Sequence, residues 1–332
     1  MDLRLTMPQA YTPIKKPDDY RCFVVDWPKT KPTYVSGFQV IPGDPKMVHH
    51  IIAYLAAPNQ VAYYKNKDAR EKGPGYTCYG TAGGGAAWLG VWAPGVKGTD
   101  YPKGTGIKVL PGSKIIIQVH YNTLTNKPAS DKSSVEFKLD DTVQNEAILL
   151  PYLNPAWLYK PKNCPSQLKA FGYNCDMVIP PNNPNYKVRF EVGLGLLSLL
   201  SKQFLKKEFE TLTVHNVMLH MHWRGKAGRV FIKKGGKEQC LLNIPRWDFN
   251  WQMSYELKKP VTLGLSDSIG LACSWDNSAA NQPVINGKKE KPITIYWGDG
   301  TNDEMCLGLA YVTCKNKGKA VLCPNPLAAF GR

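Results

Sequence analysis

A chain of 332 residues, 43% hydrophobic and 20% charged, has room for two cores of ordinary size and too much apolar content for a disordered segment. Its formal net charge of +16 is scattered over lysine pairs and turns ("KPKN", "FIKKGGKEQ", "NGKKEKP"), and no helix-turn-helix, RRM or similar module appears. The basic surface is therefore read as a solvated face, with no nucleic-acid partner expected.

The 29 glycines and 26 prolines favour turns and short strands over long helices. In chain order, "RCFVVDW", "TYVSGFQVIPG", "HHIIAYLAA", "SKIIIQVHYNT" and "SSVEFKL" alternate as strands of a first unit. The proline-rich "LLPYLNPAWLYKPKNCP" follows, placing a boundary near residue 155. Then "KVRFEVGL", "TVHNVMLHMHW", "GRVFIKK", "EQCLLNIP", "FNWQMSYEL", "ITIYWG" and "CLGLAYVT" read as strands of a second unit. Strands in succession without a βαβ rhythm predict an all-β protein, two antiparallel β-sandwiches of jelly-roll type in tandem, residues 1–155 and 156–332.

One segment breaks the rhythm. Residues 192–212 place Leu196, Leu197, Leu200, Phe204 and Leu205 at near-helical spacing, with a basic end. A short surface helix packed on the sandwich is favoured over a lid or a patch lying on lipid. The longest apolar run, "VGLGLLSLL", is too short to span a membrane.

Nine cysteines without a CxxC suit an oxidising compartment, so the protein is expected to be periplasmic or secreted. The opening "MDLRLTMPQAYTPIKKP" has no long apolar core, and a leader is expected to be missing from this sequence.

The six histidines are His49, His50, His120, His215, His220 and His222. His220 and His222 occupy positions i and i+2 of a predicted strand, so both point to one face, a good start for a transition-metal site. Taken alone, such a pair is as readily two unrelated strand histidines. His49 and His50 are adjacent and cannot share a metal on a regular strand, although they can at a strand end or bulge, with His120 as third nitrogen. His215 lies an odd number of residues from His220, so it faces away from the pair and is read as structural.

Seven motifs occur in order: "RCFVVDWP", "MVHHIIAYL", "QVHYN", "HMHWRGK", "PRWDFNWQMSYEL", "WDNSAANQ" and "TNDEMCLG". From about residue 20 to residue 315 the chain resembles the copper type II, ascorbate-dependent monooxygenase family, of the peptidylglycine α-hydroxylating and dopamine β-monooxygenase type, in its bacterial branch. The resemblance implies two copper ions per chain. His220, His222 and Met305 would form the oxygen-binding, catalytic site, where a soft thioether suits Cu(I). His49, His50 and His120 would form the electron-transfer site, relaying electrons across a wet cleft between the domains. Dioxygen is the implied co-substrate, and ascorbate or another one-electron donor the implied partner. Gln118 matches the family's "QxHY" motif and is expected to reach from the electron-transfer side toward the cleft or to sit at its polar rim.

The resemblance also implies disulfides Cys22–Cys78 and Cys273–Cys306. Cys164 with Cys175 and Cys314 with Cys323 are paired here by nearness in sequence, leaving Cys240 as a buried free thiol. The peptide-amidating members hold a substrate carboxylate with an arginine, an asparagine and a tyrosine where this chain has Met218, Leu307 and Leu309. None of these can pair with a carboxylate. A small-molecule or apolar substrate other than a peptidylglycine is expected, with Met218, Leu307 and Leu309 as candidate pocket residues or ordinary core. The competing readings are a non-catalytic, periplasmic or secreted copper-binding or sequestering protein and a jelly-roll binding module with a structural metal.

Overall fold

The protein is described by a computed structural model for residues 1–124, 127–170, 172–285 and 287–324. It is built of β-sandwiches in tandem. In the first, one layer holds the strands Leu3–Thr6, Ser134–Asp140, Thr33–Ile41 and Thr105–Val109. The facing layer runs Ala87–Trp92, Val48–Ala56, Lys114–Asn122, Asp18–Asp26 and Tyr76–Thr77. In the second, Tyr186–Gly193, Ser268–Trp275, Gly225–Lys234 and Lys237–Ile244 face a layer of Tyr255–Gly264, Thr211–His220, Leu307–Asn316 and Lys319–Val321.

Local sequence explains which strands are central. Lys114–Asn122 is buried at every position from Ile115 to Tyr121, and its "IIIQV" run is the near-continuous apolar pattern of a strand covered on both faces. It pairs with Asp18–Asp26 on one side and Val48–Ala56 on the other. Tyr186–Gly193 instead alternates, sending Val188, Phe190 and Val192 into the second core.

The strand Asn145–Tyr152 joins the two halves. It pairs antiparallel with Leu307–Asn316, from Ala147 opposite Thr313 to Tyr152 opposite Gly308, and meets Ala87–Trp92 at Leu149 and Trp88. One hydrogen-bonded sheet therefore runs from the first sandwich into the second.

The 192–212 segment is helical from Leu194 to Leu205. A helix covers Leu194–Leu200 and a π-turn Ser201–Leu205, after which the chain enters the Thr211–His220 strand. Leu194 and Ser198 are buried while Leu199 is exposed. No helix among the described residues is long and apolar enough to cross a membrane.

Disulfides link Cys22 to Cys78, Cys164 to Cys175, Cys273 to Cys306 and Cys314 to Cys323. Cys240 is free, but the expectation that it is buried is wrong: it is exposed. It lies on Lys237–Ile244, the edge strand of its sheet, where one flank and much of the face meet solvent.

Gly90 shows how tightly the first sandwich closes. A Cβ there would lie 2.2–2.6 Å from three ring atoms of Phe38 in the facing layer. Gly90→Ala should cost about 1–3 kcal/mol by overpacking, read as a lowered denaturation midpoint with an unchanged far-UV spectrum.

Candidate metal centres

The first cluster depends on a β-bulge. Val48 pairs with Tyr121 and His50 with His120, which leaves His49 as an extra residue in the ladder. The bulge rotates His49 so that two adjacent side chains reach the same side. The Nδ1 atoms of His49 and His50 are 3.2 Å apart, those of His49 and His120 3.2 Å, and those of His120 and His50 3.3 Å. His120 Nε2 donates to the buried carboxylate of Asp18 at 2.8 Å, which leaves Nδ1 of the neutral ring as a bare lone pair. Three such contacts cannot all be hydrogen bonds, because a ring nitrogen either donates or accepts. A point common to all three nitrogens lies about 2 Å from each, the length of an imidazole–metal bond. The donor set therefore fits a metal ion.

The second cluster sits at the end of Thr211–His220. His220 Nδ1 donates to Gln252 Oε1 at 2.5 Å and His222 Nδ1 to the Asp303 carbonyl at 3.0 Å. Both rings are thereby left with Nε2 free, and their centroids are 5.0 Å apart. Met305 is buried and follows directly on Asp303 and Glu304. The Glu304 carboxylate accepts from the backbone N–H groups of His222 at 2.9 Å and Arg224 at 2.6 Å, and from the Trp275 indole at 2.8 Å. On the other side of Met305, Cys306 is tied to Cys273. The methionine backbone is thus clamped beside the histidine pair. Two imidazoles with free Nε2 atoms suit a transition metal.

The two clusters adjoin. His50 and His220 pack edge-to-face with centroids 6.3 Å apart, and His49, His50 and His220 each keep part of their surface exposed. Phe249 stacks on His49 at 4.5 Å and meets His222 edge-on at 6.2 Å, while Trp223 covers its far side at 4.8 Å. Burial favours the neutral ring throughout. It pushes His49 and His50 well below the usual 6.5, with neighbouring histidines adding to the effect. It lowers His220 to about 4 and His222 to about 3, the latter helped by His220. Burial also lowers His120, with Asp18 opposing. For Asp18, burial works upward, but the bonds from His120 and Thr301 prevail and hold the carboxyl below its ordinary value.

The remaining candidates fall as follows. Gln118 is buried, donating from Nε2 to the Cys78 carbonyl at 3.1 Å and accepting from the Tyr54 hydroxyl at 3.3 Å. Its amide thus works inside the first sandwich, beside the Cys22–Cys78 bridge. Met218 pairs with Leu309, and His220 with Leu307, so all four share one sheet face. Met218 and Leu309 are buried against the first core, with Leu307 packed on its edge. His215 is the extra residue of a second bulge and bonds Thr313 Oγ1 at 2.9 Å.

Sequence reasoning gave no role to Asp18, Gln252, Phe249, Asp303 or Glu304. Gln252 and Phe249 lie in the quoted "PRWDFNWQ" motif, and Asp303 and Glu304 in "TNDEMCLG", so the signal was present without the geometry. Asp18 carried no such signal: the register sets Tyr20 opposite His120 and Asp18 opposite Asn122, and the carboxylate reaches the ring from two residues along the strand.

Two sandwiches that turn imidazole clusters toward each other make a candidate two-centre metalloprotein. The N-terminal domain of the copper type II ascorbate-dependent monooxygenases matches residues 3–128, and the C-terminal domain of the same family residues 170–327. The chain belongs to the copper type II ascorbate-dependent monooxygenase family. It is similar to DBH-like monooxygenase protein 1 of Gallus gallus, 23% identical over 271 residues that cover 79% of this chain and 38% of that protein. The chain thus spans well under half the length of that relative. Among solved structures, the major capsid protein P2 of bacteriophage PM2 aligns over 96% of this chain and all of its own at a TM-score of 0.31 and 7% identity, a likeness that carries no argument.

The buried imidazoles set a pH dependence. An unfolded histidine titrates near 6.5, whereas folded His220 and His222 take up protons only near 4 and 3. Between these values the unfolded chain holds more protons, so stability falls as the pH drops below 6.5. Denaturant titrations of the metal-free protein should show the unfolding free energy declining by about 1.4 kcal/mol per pH unit for each such histidine. Glu304 and Asp299, raised by burial to about 7 and about 6, oppose this decline, so a wild-type slope no steeper than that of His220→Ala/His222→Ala would contradict neutral, buried rings.

Proposed function

We propose that the protein is a copper-dependent monooxygenase that hydroxylates a C–H bond of a substrate other than a peptidylglycine, using dioxygen and an external one-electron donor such as ascorbate. The observation that carries the reading is the convergence of the three Nδ1 atoms of His49, His50 and His120 beside the His220–His222 pair, with Met305 read as the third donor of the second centre. Bound copper would supply the one-electron steps and the dioxygen chemistry.

The chain's own residues do the rest. Asp18, Gln252 and the Asp303 carbonyl fix the tautomers of His120, His220 and His222, leaving one nitrogen of each bare for metal. Three protein donors at each centre leave coordination open. Phe249 stacks on His49 and meets His222 edge-on, so one aromatic ring touches both clusters. Met218, Leu307 and Leu309 make the sheet face beside His220 apolar, so the substrate is read as apolar or anchored through something other than a carboxylate. Gln118 supports the first centre from behind, through Cys78 and Tyr54. The four disulfides belong with an oxidising compartment, periplasmic or extracellular.

Metal analysis tests the centres and oxygen labelling tests the reaction. The wild type should hold two coppers per chain, falling to one in Met305→Ala or His220→Ala at dilute copper. Reduced protein under ¹⁸O₂ should place label in a hydroxylated product when offered small apolar substrates. A chain that takes zinc alone, or a single metal, refutes the two-centre reading. Two coppers that release only peroxide point instead to copper sequestration.

A further inference from the structure

We infer that Asp18 is a positioning residue for both metal centres, acting on the one it does not touch through a clasp with Thr301. The inference rests on the copper reading above and extends it to residues that ligate nothing.

Asp18 begins the Asp18–Asp26 strand, and both of its carboxylate oxygens are engaged. Oδ1 accepts from His120 Nε2 at 2.8 Å and from the Thr301 hydroxyl, and Oδ2 accepts from the Thr301 backbone N–H at 2.9 Å. Thr301 is 1% exposed and lies 283 residues away, in the part of the chain that carries the second centre. A side-chain hydroxyl and its own N–H gripping the two oxygens of one carboxylate fix orientation as well as distance.

The loop that Thr301 anchors leads straight to the second donor set. Two residues on, the Asp303 carbonyl receives His222 Nδ1–H, the Glu304 carboxylate then takes the His222 backbone N–H, and Met305 follows. The loop is braced so that a displacement at Thr301 is passed along. The Asp303 carboxylate closes on Gly300 N at 3.1 Å, Arg224 holds the Asn302 carbonyl at 3.0 Å, and Tyr20 donates to the Asp299 carbonyl at 2.6 Å. Tyr20 itself stacks on His120 at 4.0 Å. One buried carboxylate thus sets the ring of His120 and the seat of His222 and Met305 together.

The test compares Thr301→Val, Thr301→Ser and Asp18→Asn with the wild type. Copper affinity at each centre is read by competition with a chromogenic chelator and by Cu(II) EPR, and backbone hydrogen exchange over residues 298–305 is measured on the metal-free protein. Thr301→Val should weaken the His220–His222–Met305 centre roughly tenfold and speed exchange in the loop while sparing the three-histidine centre. Thr301→Ser should restore both readouts. Asp18→Asn should weaken both centres, by about 10–100-fold. The clasp is refuted if Thr301→Val leaves second-centre affinity and loop exchange at wild-type values, if serine performs no better than valine, or if Asp18→Asn disturbs the first centre alone. A wild type that binds no copper refutes the functional reading instead, and the exchange comparison still decides the clasp.

Discussion

The structure is organised around one electrostatic constraint: neutral imidazoles from distant parts of the chain are packed together, and three of them aim their ring nitrogens at one point. Such an array is unfavourable by itself, since each ring gives up water and gains a repulsive neighbour. It persists because every ring but His49 and His50 has a partner that takes its N–H and so fixes which nitrogen is bare. Asp18 does this for His120, Gln252 for His220 and the Asp303 carbonyl for His222. The first cluster therefore presents Nδ1 and the second Nε2, a difference that follows from where these three acceptors stand.

The fold's contribution is rigidity at two strand ends. The bulge at His49 would be a weak point on an edge strand, but here it lies in a strand paired on both sides. The Cys22–Cys78 bridge fastens Asp18–Asp26, the strand on the far side of Lys114–Asn122, and Gln118 of the latter bonds the Cys78 carbonyl. Around Met305 the same result is reached differently, by a buried carboxylate before it and a disulfide after it. The shared sheet through Asn145–Tyr152 then holds the two assemblies in a fixed relation.

Much of this was legible in the sequence, for reasons particular to each element. Strand alternation exposed the sandwiches, because one face of most strands is buried and the other wet. The spacing of His220 and His222 showed a shared face, since side chains two apart on a strand point the same way. The pairing of His49 with His50 was legible only as a condition, because a bulge is a property of register and register depends on the partner strand. Asp18 was invisible for a stronger reason: its partner Thr301 is 283 residues away, and no local pattern links a carboxylate to a hydroxyl at that distance. Cys240 was misjudged because free cysteines are usually buried, and strand-edge exposure depends on which strand ends the sheet.

The closeness of the two clusters changes what the protein must do. Centres separated by open water would need a carrier or a long electron path, and each could be built independently. Rings of His50 and His220 in edge contact, with Phe249 touching both clusters, make a single region to which both sandwiches contribute. In such a region electrostatic interactions are strengthened, so small displacements of a ring or a carbonyl carry more energy than they would in solvent. That is why the supporting bonds are concentrated in the loop from Gly298 to Glu304: it is the only stretch among the described residues that bonds both to the acceptor of a first-cluster histidine and to a second-cluster histidine itself.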